Sequence, residues 1–165
     1  MRHIPHVLVV AVLLLAGASA PARADVSKKV QAALKGQIFF SADGLPQQAE
    51  DDATTIKAIK KAGAATLGHA MVEGVPTWRF HFMAFMSQKP AADQVSLDFY
   101  VDDKTHAFVA QKRLAGIDAN LMMLETEVAI SEDDGLSAGK SYVVKLATSR
   151  KGKEVVLATA KVKTK

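Results

Sequence analysis

The sequence predicts a mainly β protein, an antiparallel β-sandwich carrying one short α-helix over residues 51–62. From Thr77 onward, apolar residues recur at every second position in stretch after stretch, the period of a strand with one buried face. Turn-forming clusters separate those stretches, among them Asp102-Asp103-Lys104, Glu132-Asp133-Asp134-Gly135 and Arg150-Lys151-Gly152. The chain has 165 residues and no cysteine, which excludes a disulfide scaffold, a thiolate zinc site, an iron–sulfur centre and a thiol nucleophile. A length of this order fits one domain.

Residues 1–24 have the composition of a secretory signal. Arg2 supplies the basic start, residues 7–16 the apolar run, and Ala18-Ser19-Ala20 and Ala22-Arg23-Ala24 two small-x-small sites. Cleavage after Ala20 would leave Pro21 at the new terminus, so the expected cut follows Ala24. The apolar run is shorter than the roughly 20 residues of a spanning helix. The expectation is an exported protein, periplasmic or extracellular, without a stable membrane span after cleavage, whose single domain is residues 25–165. Loss of Arg2 and Arg23 lowers the net charge from +4 to +2.

Residues 25–35 fit two patterns: Val26, Val30 and Leu34 keep a helical spacing, while Val30, Ala32 and Leu34 suit a strand. Residues 37–41 read as a short strand closed by Asp43-Gly44-Leu45-Pro46. In the helix 51–62, Asp51 or Asp52 can cap the first amides, and Ile56 and Ile59 mark the apolar face. Lys57, Lys60 and Lys61 lie towards its negative end, and Gly63 terminates it. Residues 66–72 can pair with 77–83 across Glu73-Gly74-Val75-Pro76. The stretch 77–86 puts Trp78, Phe80, Phe82, Ala84 and Met86 on one face and Arg79, His81, Met83 and Phe85 on the other, where Met83 and Phe85 are expected to lie under the helix 51–62. Further strands are expected at 94–101, 105–114, 121–131, 140–149 and 153–164, the last with Val156, Ala158, Ala160 and Val162 facing in.

Gly139-Lys140-Ser141-Tyr142-Val143-Val144 and the closing strand after Gly152 resemble the last hairpin of immunoglobulin-like and fibronectin-like modules. That resemblance covers residues 136–164 and implies an immunoglobulin-like sandwich. It carries no function with it.

Charge is unevenly placed. Residues 91–135 hold 10 acids and 3 bases, whereas residues 136–165 hold 8 bases and 1 acid. A basic edge can attract anionic partners, but no aromatic residue is interleaved with these lysines. The favoured expectation is that the basic hairpin lies beside the acidic strands and that its lysines guard an edge. Nucleic acid is not an expected partner for an exported chain with so small a net charge.

Two His-x-Met pairs, His69-Ala70-Met71 and His81-Phe82-Met83, stand twelve residues apart. Imidazole and thioether are soft ligands suited to copper. That chemistry makes His69, Met71, His81 and Met83 a candidate copper site, and His-x-Met resembles one fragment of the motif of periplasmic copper chaperones, whose remaining spacing is absent here. Strand register decides whether those four converge, because a shift of one residue moves a side chain to the other face. The acidic turn 132–135 is expected to be a solvated turn rather than a calcium site, and Glu125 with Glu127 the wet side of a strand. No His-Glu-x-x-His helix or phosphate-cradling glycine loop occurs after residue 24. The leading expectation is therefore a non-catalytic binding or interaction module. Its surface would lie around Arg79, His81 and Met83, and its partner would be an envelope protein or a carbohydrate. A small copper-binding protein and a small hydrolase without a recognisable motif are the alternatives.

Overall fold

A computed structural model describes residues 26–165; the expected signal segment lies outside the described residues. The ambiguous N-terminal stretch is helical. Ser27 accepts the amide of Val30 and caps α1 (Lys28–Ala33), and the spacing of four buries Val26, Val30 and Leu34 together. Strand β1 (Gln37–Ser41) follows, then α2 (Asp52–Ala62). Asp51 caps α2 by accepting the Thr54 amide at 2.7 Å, and Gly63 closes it. The strand series continues with β2 (Thr66–Leu67), β3 (Ala70–Val72), β4 (Val75–Phe85), β5 (Gln94–Val101) and β6 (Phe108–Ala115). It ends with β7 (Met123–Ser131), a 3₁₀ turn (Glu132–Asp134), β8 (Ser141–Arg150) and β9 (Lys153–Thr164).

The protein is mainly β, as the period-two pattern requires. Its strands, however, form one curled mixed sheet where two antiparallel sheets were expected. β7 pairs one side of β4, and β3 and β1 pair the other. β1 and β2 then meet β9 in short parallel contacts, and β8, β5 and β6 continue the sheet by antiparallel pairing. The parallel contacts are possible because several further strands separate β1 and β2 from β9 in sequence, enough chain to cross over.

The curl encloses the main core. Trp78, Phe80 and Phe82 of β4 meet Leu97 and Phe99 of β5 and Val144 and Leu146 of β8 there. A second apolar cluster lies on the opposite face of β4. Met83 and Phe85 are both 0% exposed, covered by Val30 and Leu34 of the α1 segment and by Ile59 of α2. β4 is thus buried on both faces at its C-terminal half, which is why its alternation turns into an unbroken apolar run after residue 81.

The sheet's two ends approach one another at the 3₁₀ turn. Gly135, with φ +113°, packs on the backbone of β6, and a Cβ there would collide with the Val109 carbonyl oxygen. Val156 departs from the expected alternation. A register shift between Leu146 and Ala147 puts Ala147 opposite Val156 and leaves Leu157 as the extra, buried residue. The bulge turns Val156 outward, at 36% exposed. The acidic and basic blocks do lie together: β5 pairs β8, and Lys161 Nζ sits 2.9 Å from Asp102 Oδ1.

Candidate functional site

The structure separates the residues singled out on β4. Arg79 is exposed, and its guanidinium lies 3.5 Å from Glu127 of β7. His81 is half-buried and stands in register between Ser41 of β1 and Glu127 of β7. Among the described residues its ring has no hydrogen-bond partner, so Ser41, His81 and Glu127 form a polar row without the linked hydrogen bonds of a nucleophile–base pair. Met83 is not at this surface at all. It fills the space under the helices.

The two His-x-Met pairs are held apart by a tight turn. Val72 pairs Val75, so Glu73 and Gly74 alone make the connection, with φ of 51° and 84°. Met71 then opposes Pro76, and His69 reaches Trp78, with ring centroids 5.4 Å apart. This places His69 and Met71 on the Trp78 face and His81 and Met83 on the other. His69 Nδ1 instead lies 2.5 Å from the Lys165 main-chain oxygen, which also accepts Trp78 Nε1 at 3.3 Å. Met71 is 61% exposed. Among the described residues, no cluster of three or more His, Asp or Glu side chains is arranged to hold a metal ion.

The acidic turn is occupied by its own backbone. Asp134 Oδ2 accepts the Ser131 amide at 2.8 Å and the Ser131 hydroxyl at 2.9 Å. Those bonds, the backbone one foremost, hold its carboxyl below the usual range.

The most developed surface feature lies on the far half of the sheet. There the outer face of β6, β5, β8 and β9 presents cross-strand rows. Phe108, Tyr100, Val143 and Lys161 form one, and Gln111, Asp98, Lys145 and Thr159 the next. Arg113, Ser96, Ala147 and Val156 form a third. An open groove of about 350 Å³ runs over the lower rows, lined by Ser96, Asp98, Gln111, Arg113, Ser149 and Glu154.

Asp98 is its central group. The residue is only 4% exposed, yet its carboxylate is held by neutral donors: Ser96 Oγ at 3.0 Å and Gln111 Nε2 at 2.8 Å. Arg113 Nε donates in turn to Gln111 Oε1 at 2.9 Å, which fixes the carboxamide. Burying a carboxylate is unfavourable, and each of its oxygens has capacity for one more donor. Its register neighbour on β8, Lys145, places its ammonium 4.2 Å over the Tyr100 ring. Burial, then the Glu154 and Asp98 carboxylates, push the Tyr100 hydroxyl above its ordinary value, so it stays a neutral donor at physiological pH. Phe108 meets Tyr100 edge-on at 5.7 Å and remains 55% exposed.

The alternation Ser96, Asp98, Tyr100 marks these residues as the outer side of a strand. Nothing in that pattern says that Asp98 is desolvated or that Gln111 and Arg113 stand beside it; only pairing of β5 with β6 does so. Comparison with protein-family models, curated proteins and solved structures finds no match to this chain.

Proposed function

We propose that this protein is an exported, non-catalytic binding module whose binding surface is the groove on the outer face of β5, β6 and β8. One observation carries the reading. Asp98 is a nearly buried carboxylate held by two neutral side chains at the floor of an open groove, with acceptor capacity to spare. Sheet surfaces ordinarily place carboxylates where water solvates them fully. Export is supported by the signal-like residues 1–24, and the expected mature chain begins at Asp25.

The test is native mass spectrometry of the protein incubated with a small-molecule fraction of cell envelope. A one-to-one complex is expected, with the ligand recovered unchanged in mass after denaturation. Ser96→Trp, which fills the groove at a strand position that tolerates an aromatic, should remove the complex while circular dichroism stays as in wild type. A complex that survives Ser96→Trp overturns the groove. Recovery of a chemically altered ligand overturns the non-catalytic reading.

A further inference from the structure

We propose that the ligand of this groove is a neutral saccharide, hydrogen-bonded through its hydroxyls to Asp98, Gln111 and Arg113, with one ring face stacked on Phe108. The inference rests on the groove being the binding surface and adds the class of its ligand.

Three features of the groove select that class. The first is the donor and acceptor set. A carboxylate, a carboxamide and a guanidinium lie side by side, tied by the 2.8 Å Asp98–Gln111 and 2.9 Å Gln111–Arg113 bonds. Each sugar hydroxyl donates one hydrogen bond and accepts others, so neighbouring hydroxyls on a ring match adjacent acceptor and donor atoms. The second is charge. Asp98 and Glu154 are offset by Arg113 and by Lys145 in the same patch, which leaves no net field to select an anion or a cation. The third is the exposed aromatic. Tyr100 lies two residues along β5 from Asp98, about 7 Å at strand rise, and Phe108 stands opposite Tyr100. Lys145 covers a face of Tyr100, so Phe108 is the ring left open for stacking. An apolar ligand does not fit the same floor, because it would desolvate Asp98 further without giving it a donor.

The experiment is a titration of the isotope-labelled protein followed by amide resonances. The neutral probes are maltohexaose, cellohexaose and N-acetylchitohexaose; hexagalacturonate and spermine are the anionic and cationic probes. At least one neutral probe is expected to shift the amides of residues 96–99 and 111–113 saturably, and neither charged probe is. Asp98→Asn, which keeps the shape but removes the charge, should weaken that binding about tenfold. Phe108→Ala, at an exposed position that does not threaten the fold, should weaken it by about the same factor.

If a charged probe shifts the groove amides and no neutral probe does, the saccharide inference fails while the groove stands. Shifts that map elsewhere, or that persist in Ser96→Trp, overturn both. Silence from all five probes, or wild-type affinity in both Asp98→Asn and Phe108→Ala, overturns the saccharide inference.

Discussion

Arg79 and Met83 sit four residues apart on the same outward face of β4, and their surroundings are opposite. Arg79 reaches into solvent, and its contact with Glu127 joins two side chains that are 69% and 43% exposed. Such a pair contributes about 0–1 kcal/mol. Met83 is fully enclosed by the helices and Phe85. Truncating it leaves a cavity that a sheet backed by two helices cannot close easily. Met83→Ala is therefore expected to destabilise the protein by about 2–5 kcal/mol, and Arg79→Ala by no more than about 0.5 kcal/mol. Urea denaturation of the two variants checks this. A silent Met83→Ala would mean that the helices do not cover that face. Residue 83 was legible as an outward-facing apolar side chain with the helix 51–62 as its cover, but the share supplied by residues 28–33 was not, because that stretch fits helix and strand alike.

At the scale of elements, two hairpins use the same turn. Glu73-Gly74 joins β3 to β4 and Lys151-Gly152 joins β8 to β9, each with positive φ at both positions. This is the geometry of a two-residue primed turn, whose first position prefers Asn over Glu or Lys. Glu73→Asn should therefore raise stability by about 0.5 kcal/mol, read as a higher urea midpoint with an unchanged slope. The caps give these elements a pH signature. Asp51 is held below the usual carboxylate range chiefly by the Thr54 amide, Asp103 by the Thr105 hydroxyl and amide, and Asp134 by the Ser131 amide. A carboxyl depressed by folding adds stability above its unfolded value and loses that share as pH falls through its folded value. Thermal melts should be insensitive to these three groups above about pH 5 and drop as pH falls below about 4. An unchanged melting temperature between pH 5 and pH 3 would contradict the assignment.

At the scale of the molecule, the two apolar clusters share one strand. Phe80 and Phe82 point into the curl, Met83 and Phe85 point under the helices, and all four belong to β4. Neither cluster can come apart without exposing the other, which is the arrangement for a single cooperative transition. The protein has one tryptophan, Trp78, and it is 0% exposed in the main core. Its fluorescence should therefore lose the buried signal at the same urea concentration at which far-ultraviolet circular dichroism loses the strands. Separate midpoints would mean that the helical layer unfolds by itself.

Local pattern determined much of this protein. Gln37–Ser41, Gln94–Val101 and Lys153–Thr164 are strands over the expected residues, and the helix 51–62 is capped by Asp51 and closed by Gly63 as its side chains require. These elements follow from period, capping and turn chemistry, which act within a few residues. The tertiary structure alone decided the rest. It made one curled sheet of the strands, because β1 and β2 meet β9 in parallel, and such long-range pairing leaves no mark in a period of two. It chose a helix for residues 28–33 because the outer face of β4 needed cover. It separated His69 from His81 by a turn of two residues and brought Asp98, Gln111 and Arg113 together by strand pairing. Strand alternation determines which way a side chain faces, but only the neighbouring strand determines what it meets.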